Sequence, residues 1–474
     1  MIAIRNKLLL LTLLATSTLA FAETPESVTD AKPPSAVTPV EVEVELDSNA
    51  NSATPVAPGT SATRPETVVA APSAGTPAPL TAEGPLKKRV EFWVSIYTQF
   101  STSEGVIHDA KYPEIILEKL DFRAEQEDYH TPPAVKEKRA QNRISDIKDF
   151  YRDLMLSIHK KQQDLIPLNE AEKRVYELYK DIKEPNKFYN AAHNKRIRFQ
   201  LGQRDRFLQG LFYSGRYLPM MEKIFRERGI PIEITRLPFV ESSFNLKARS
   251  KVGASGIWQF MRSTGKFYLK INDTIDERND PIRATEAAAS LMKLNIESLG
   301  QWPLAITAYN HGRKGLMRAV RKVGSDNLDE IIDGYRSRSF GFASSNFFTE
   351  FMAAAEVERN AAKYFGKFER DHPIEFAEFV LNDYINAIDL STYSRIPMDT
   401  LMDLNPGLTD TVFQGKRLIP AGYVLRIPAD MRDKFLARYN EIPPSKKYIS
   451  QKGPHYDMSA PKTVTRRKRS GRHR

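Results

Sequence analysis

Cysteine is absent from the 474-residue sequence. Its absence excludes disulfide bonds, a thiol nucleophile, a cysteine-ligated metal site and a lipid-modified cysteine near the N-terminus. Exported proteins commonly use disulfides for stability, so an exported chain without them has to be stabilised by its apolar core. The chain is long enough to bury at least one such core.

The apolar run "LLLLTLLA" at residues 8–15 is too short for a membrane-spanning helix, which needs roughly 20 apolar residues. Arg5 and Lys7 precede this run, and "AFA" at 20–22 fits the small-x-small pattern of a cleavage site. These features predict a signal peptide at residues 1–22 and export to the periplasm or cell envelope. An uncleaved anchor is the less favoured alternative.

Aromatic residues are almost absent from residues 23–86, which consist mainly of Pro, Ala, Thr, Ser and Val. Such a segment cannot bury enough apolar surface to offset its chain entropy, so we predict a disordered linker. Residues 441–474 end in the basic run "KTVTRRKRSGRHR" and are predicted to be a disordered tail. The net charge of +11 favours an anionic partner, either the cell wall or a membrane surface, and for an exported protein not nucleic acid.

Residues 87–200 are predicted to form a mostly helical N-terminal region. Apolar residues recur at helical spacing from Phe92 to Phe100, whereas "PEIILEKLDF" resembles a strand. From about Ala134 to Leu218 the pattern predicts helices throughout. His159 and His193 lie among many lysines in this stretch and are interpreted as solvated side chains, not as metal ligands.

Residues 371–440 change in character to a short strand-like run, a helix-loop-helix and then "GYVLRIP". We predict a small α+β module here. The segment before it, residues 201–370, is mostly helical with glycine loops and carries the chemistry.

Glu241 follows the apolar helical segment "IPIEITRLPFV", which should be kinked or shortened near Pro238. Burial and the negative end of the helix dipole would both raise the pKa of this carboxyl group. A raised pKa allows a glutamic acid to stay protonated at neutral pH and to donate a proton to a leaving group. The alternative is an ordinary glutamate at the end of a helix.

Two further motifs accompany Glu241. In "GASGIWQF", Gly253 and Gly256 allow a tight turn that positions Trp258, Gln259 and Phe260. In "LAITAYNHG", the polar residues Tyr309 and Asn310 interrupt an apolar helix that Gly312 ends, as expected for hydrogen-bonding groups at a cleft.

The series "ESSF", "GASGIWQF" and "AYNHG" resembles the lytic transglycosylases, peptidoglycan-cleaving enzymes with a lysozyme-like (SLT) domain, over roughly residues 200–365. The resemblance implies a mainly α fold: a lysozyme-like catalytic domain at 201–370, an N-terminal helical extension and a LysM-like module at 371–440. It also implies that Glu241 protonates the oxygen between N-acetylmuramic acid and N-acetylglucosamine. The resulting carboxylate then takes the proton of the C6 hydroxyl as that oxygen closes onto C1, which gives a 1,6-anhydro sugar without water.

The resemblance assigns supporting or substrate-binding roles to further residues. Ser243 and Gln259 would form hydrogen bonds near the acid or the sugar, Tyr309 would hold the acid or the developing charge, and Asn310 would support the cleft. Trp258 and Phe260 belong to the core or contact a sugar face. The remaining candidates are the motif residues Ser242 and Gly256.

The motif string lacks a second acid between Ser242 and Phe260. Ordinary glycosidases need two carboxyl groups, whereas an intramolecular nucleophile removes that need. Glu286 is interpreted as structural. Single-glutamate chemistry implies no cofactor and no metal. A hydrolytic muramidase on the same fold and a non-catalytic peptidoglycan-binding scaffold remain as alternatives, and the LysM-like module, which lacks the usual opening turn, either binds glycan or is a structural cap.

Overall fold

A computed structural model describes residues 80–192 and 195–451 of the chain. The signal-peptide prediction, the basic end of the tail and His193 lie outside these residues. The chain divides into two compact units. The larger unit contains the described residues up to Tyr268 together with Pro281–Pro373, and the smaller unit contains Leu269–Asp280 and the described residues from Ile374 onward.

The N-terminal part of the larger unit combines helices with a three-stranded antiparallel sheet. The strand order is β2-β1-β3. The elements are, in chain order, α1 (Gly84–Thr98), β1 (Glu104–Asp109), β2 (Ile116–Asp121), α2 (Arg123–Glu127), α3 (Pro133–Gln163), α4 (Glu170–Leu178), α5 (Lys187–Ala191) and β3 (Ile197–Leu201). Helix α1 begins at Gly84, so the prediction of a disordered linker is wrong for residues 84–86, and its part at residues 23–79 lies outside the described residues.

The sheet is held by a buried carboxylate. Asp109, at the end of β1, is 1% exposed and accepts hydrogen bonds from the Tyr179 hydroxyl group (2.8 Å) and from Arg196 Nε (2.8 Å). Because Arg196 directly precedes β3, this ion pair fixes the end of that strand beside β1.

The strand predicted in "PEIILEKLDF" is present as β2. The prediction of helices throughout Ala134–Leu218 is wrong at Ile197–Leu201, which form β3. This segment, "IRFQL", alternates apolar and polar residues as a strand does, but it is only five residues long and follows a long helical stretch. It becomes a strand because β1, far away in the sequence, offers the hydrogen-bonding partner.

The rest of the larger unit is helical. Its elements are α6 (Arg204–Glu227), a 3-10 turn (Ile232–Arg236), α7 (Leu237–Glu241), α8 (Arg262–Gly265), α9 (Pro281–Leu299), α10 (Trp302–His311), α11 (Arg313–Val323), α12 (Leu328–Gly334), α13 (Phe342–Arg359) and α14 (Ala361–Phe365).

Helix α13 is the central element of this part. It packs against α1, α7 and α10, and most of its residues are buried, including Phe347, Phe348 and Phe351. A helix that is buried on most of its sides lies in the interior of a domain. The motif-bearing helices α7 and α10 are therefore positioned on one shared buried support.

The smaller unit has its own apolar core and mixes short strands with short helices. Strand β4 pairs with β6, and β5 pairs with β7, both antiparallel. The elements are β4 (Ala377–Val380), β5 (Tyr384–Ile385), α15 (Ala387–Ser394), α16 (Met398–Leu404), α17 (Asp410–Phe413), β6 (Val424–Ile427), α18 (Arg432–Asn440) and β7 (Lys447–Tyr448).

Residues 269–280 lie inside the predicted 201–370 domain but belong to the smaller unit. The Asp276 N–H donates to the Gly407 carbonyl oxygen (2.7 Å), and Arg426 Nη1 donates to Asp280 (2.8 Å). Both charged side chains of that ion pair are 5% exposed. A buried pair of this kind couples the segment firmly to β6.

The prediction of a disordered tail from residue 441 is wrong for residues 441–451. Ile442 and Tyr448 are buried, and Lys447–Tyr448 form β7. Apolar side chains in this segment, such as Ile442, complete the core of the smaller unit. Their burial stabilises the segment even though it precedes a basic run. Within residues 80–192 and 195–451, no helix is long and apolar enough to cross a bilayer.

Candidate active site

Glu241 is the last residue of α7. The other four residues of this helix, Leu237–Val240, are buried, and Glu241 is partly exposed. The predicted helix is shortened as expected: a 3-10 turn ends at Arg236 and α7 begins with Leu237 and Pro238, where a proline is tolerated. Burial of the short apolar helix thus places the carboxyl group at the edge of the core.

Although Glu241 is partly exposed, the surrounding protein desolvates its carboxyl group and raises its pKa to about 8. Among the described residues, no cation pairs with this carboxyl group, and no residue of any kind donates a hydrogen bond to it. Desolvation therefore acts without an opposing effect, and it disfavours the charged form. At neutral pH the group is mostly protonated, which is the state that a general acid requires.

Ser242 joins Glu241 to the "GASGIWQF" loop. Its side chain is 1% exposed, and its hydroxyl group lies 2.9 Å from the Ile257 carbonyl oxygen, to which it donates. It also lies 3.2 Å from the Pro238 carbonyl oxygen. The serine after the acid therefore fixes the end of α7 against the loop, and it points into the protein instead of toward a substrate.

The loop itself is a tight turn. Gly256 has a φ of 77°, a conformation that glycine adopts without steric cost. The Gln259 side-chain amide donates to the Gly256 carbonyl oxygen (2.7 Å) and to the Ala248 carbonyl oxygen (3.1 Å). Both amide hydrogens are thus used to hold the loop, which leaves the side-chain oxygen of Gln259 as the group available to a ligand.

Three residues other than glycine have left-handed backbone angles next to Glu241. They are Ser243 (φ 50°), Phe244 (φ 57°) and Gln259 (φ 47°). Such residues cost on the order of 1 kcal/mol or more each and persist only where surrounding structure imposes them. Phe244 is fully buried against Phe239, and Ser243 is 8% exposed. Three of the six non-glycine residues with positive φ in the described part of the chain therefore belong to "ESSF" and "GASGIWQF".

Trp258 and Phe260 belong to the core. Trp258 is 0% exposed, stacks on Phe225 and donates from Nε1 to the Thr285 hydroxyl oxygen (2.9 Å). Phe260 is 3% exposed and packs edge-on against Tyr309. The sequence allowed either a core position or contact with a sugar face for these two residues. Both side chains occupy core positions, and neither ring offers a face to a sugar.

Tyr309 lies between the loop and α13. Its hydroxyl group donates to the Trp258 carbonyl oxygen (2.7 Å), and its ring stacks on Phe347 with an interplanar angle of 8°. Burial, and secondarily the charge of Glu241, raise its pKa. Asn310 is exposed and accepts a hydrogen bond from the Ser344 hydroxyl group (2.9 Å), so it contacts α13 and not the acid.

Glu286 forms a half-exposed ion pair with Arg283 on α9. Among the described residues, no group of three or more His, Asp or Glu side chains could hold a metal ion.

Two titratable residues near Glu241 were not identified from the sequence. Glu350 on α13 is 5% exposed, and burial together with the charge of Glu241 raises its pKa to about 8. Tyr97 on α1 is 2% exposed, and burial, Glu350 and Glu241 raise its pKa, in that order of importance. A signal for Glu350 is present in "NFFTEFMA", where an acid follows two phenylalanines within the apolar part of a helix. The lack of a second acid thus holds for the motif string only.

Comparison with known proteins supports the assignment of this segment. Residues 222–332 match the family model of the transglycosylase SLT domain. The chain is 28% identical over 188 residues to membrane-bound lytic murein transglycosylase D of Escherichia coli K12, and equally to that of strain O6:H1. The match covers 39% of this chain and 40% of each relative's length.

A protein of Alteromonas sp. (strain M-1), named for tributyltin chloride resistance, is 35% identical over 109 residues. These cover 23% of this chain and 53% of that protein. The family match covers α7 and its terminal acid and lies mostly in the larger, mainly helical unit. Residues 222–332 therefore form a transglycosylase SLT domain, and over part of its length the chain is similar to a lytic transglycosylase.

Proposed function

We propose that this chain is a peptidoglycan lytic transglycosylase. It cleaves the β-1,4 bond between N-acetylmuramic acid and N-acetylglucosamine without water and leaves a 1,6-anhydromuramic acid end. The observation that carries the proposal is the Glu241 carboxyl group, which is desolvated and protonated at neutral pH, without a cation beside it in the described residues. Its place in an SLT domain gives the substrate class.

In the proposed reaction Glu241 acts twice. It first gives its proton to the bridging oxygen while the bond from that oxygen to C1 of the muramoyl sugar breaks. The glutamate, now a carboxylate, then removes the proton from the C6 hydroxyl group as the C6 oxygen bonds to C1. The proton lost in the first step is regained in the second, so the enzyme returns to its starting state without a second base.

Tyr309 supports this cycle as a hydrogen-bond acceptor. Its one hydroxyl hydrogen is given to the Trp258 carbonyl oxygen at 2.7 Å. The phenol oxygen can therefore accept a hydrogen bond from the protonated Glu241 or from a substrate hydroxyl group, but it cannot donate one. This favours retention of the acid proton until the substrate is in place.

A hydrolytic muramidase on the same fold is the second candidate, because Glu350 supplies a second carboxyl group near Glu241. Its raised pKa of about 8 argues against this role, since a base that activates water has to be ionised at the working pH. The lyase reaction is therefore favoured.

The module and the cellular location belong to the same proposal. In the smaller unit the paired strands β4 and β6 enclose in sequence the strand β5 and the helices α15, α16 and α17, and this mixture of strands and helices supports the small α+β LysM-like module. A signal-like N-terminus and a net charge of +11 fit an exported protein of the periplasm or cell envelope. Tyr97 of α1, in the N-terminal part of the larger unit, is buried and its pKa is raised by burial and by the charges of Glu350 and Glu241.

The test is digestion of purified peptidoglycan in ¹⁸O-labelled water, followed by mass spectrometry of the released fragments. The lyase yields anhydromuropeptides without the label. The muramidase yields reducing muropeptides that carry ¹⁸O. A scaffold releases neither. Glu286→Gln serves as the matched control for Glu241→Gln, because Glu286 is half-exposed and ion-paired.

A further inference from the structure

Glu350 lies on the face of α13 that supports the site. Phe347, which stacks on the Tyr309 ring, is three residues earlier on the same helix, and residues with this spacing are neighbours on a helix surface. Helix α13 also packs against α1 and α7, which carry Tyr97 and Glu241. The position of Glu350 is therefore beside the acid and not on the outer surface of the domain.

The groups that face Glu350 are all acids. They are Tyr97 from α1 and Glu241 from α7, and Tyr309 from α10 lies against Phe347, three residues before Glu350 on α13. Two arginines that contact α13 do so at other residues: Arg89 donates to Asn346 and to the Lys111 carbonyl oxygen, and Arg236 pairs with Glu222 and Glu358. Among the described residues, no cation pairs with Glu350.

Two carboxyl groups in such a cluster titrate as a pair. Once one of them is ionised, its charge makes ionisation of the other less favourable. The singly charged pair still contains one proton, which is shared between the two sites. Glu241 thus keeps part of its acid form at a pH where an isolated glutamate in the same place would have lost it.

We propose that Glu350 is a positioning residue for the reaction at Glu241: as the second buried carboxyl group of a proton-sharing pair, it extends the acid form of Glu241 to higher pH. This inference rests on the proposed function, because it assigns a regulating partner to the same site. Glu350 acts through Glu241 and does not contact the substrate.

The first experiment compares pH profiles of kcat/KM for a soluble peptidoglycan oligomer. Glu350→Gln keeps the shape of the side chain and removes its titration. We expect its activity at about pH 6 to stay within twofold of the wild type and to fall at least threefold below it at about pH 8.5. Glu350→Asp should restore much of the alkaline activity. An unchanged alkaline limb in Glu350→Gln would overturn the proposal.

Glu356→Gln is the matched control. Glu356 is on the same helix, and its carboxylate accepts a hydrogen bond from Asn360 Nδ2 at 2.9 Å, away from the acidic cluster. Its pH profile should coincide with that of the wild type. A shift equal to that of Glu350→Gln would mean that the effect comes from a change of charge on α13 in general.

A second experiment does not depend on catalysis. A double-mutant cycle of Glu241→Gln and Glu350→Gln measures their coupling from urea unfolding at several pH values. The coupling should be small at about pH 5 and grow as pH rises through about 8, because the repulsion develops only as the pair ionises. A pH-independent coupling would refute the pair. If the pair is found but no anhydro product forms, the proposed function fails and the pair stands.

Discussion

Replacement of Glu350 by Gln should stabilise the protein at neutral and alkaline pH. The carboxyl group has an ordinary pKa of 4.5 and a pKa of about 8 in the folded chain, because it is buried next to Glu241. A group whose pKa is raised by folding contributes stability that is fully present below 4.5 and is lost as pH rises to about 8. Gln has no such dependence.

The size of the effect follows from the two pKa values. One pKa unit corresponds to about 1.4 kcal/mol, so the wild type should lose about 3 kcal/mol from this group between about pH 5 and about pH 7.5. The free energy of unfolding of Glu350→Gln, relative to the wild type, should rise by a similar amount over the same interval. Other titrating groups cancel in this difference unless they interact with Glu350.

Urea unfolding followed by tryptophan fluorescence is a suitable assay. The three tryptophans, Trp93, Trp258 and Trp302, all belong to the larger unit, so the signal reports on the unit that contains Glu350. Glu356→Gln is again the control and should leave the pH dependence unchanged. If wild type and Glu350→Gln lose stability in parallel as pH rises, Glu350 is not the desolvated acid that the structure implies.

Three further predictions concern the motif residues. Activity of the wild type should fall about tenfold between about pH 7 and about pH 9, because the pKa of Glu241 is about 8 and the acid form is required; an activity that stays level to pH 9 would contradict this. Ser242→Ala should lower the free energy of unfolding by about 1–2 kcal/mol, since the buried Ile257 carbonyl oxygen loses its serine donor; an unchanged urea midpoint would argue against that hydrogen bond. Gly256→Ala should cost about 1–2 kcal/mol because of its positive φ, and Gly341→Ala, at a position with open space and an ordinary φ, is the control that should cost less.

Glu241 can be identified from the sequence because the residues that hold it are close to it in the chain. Ser242 and Gly256 are close in the chain to the acid that they position, so local spacing carries the information. Glu350 and Tyr97 reach the same place only through the packing of α13 and α1, and nothing in their local sequence specifies which helix they will face. Periodicity predicts that a residue is buried but not what lies beside it.

The same limit explains the errors in the fold. Strand β3 depends on a partner strand that lies far away in the sequence, and β7 depends on β5 in the same way. The insertion of residues 269–280 into the smaller unit depends on the hydrogen bond from Asp276 to Gly407 and on the buried pair of Asp280 and Arg426. Helices with a clear apolar face, such as α1 and α3, need no distant partner to be recognised.

The most direct test of the central claim is the product release of Glu241→Gln. The substitution keeps the size of the side chain but removes its transferable proton, so release of anhydromuropeptides from purified peptidoglycan should fall by about 10²–10⁴-fold. Tryptophan fluorescence should show that the larger unit remains folded, and Glu286→Gln should retain activity. Full release of anhydromuropeptides by folded Glu241→Gln would contradict the assignment of Glu241 as the catalytic acid.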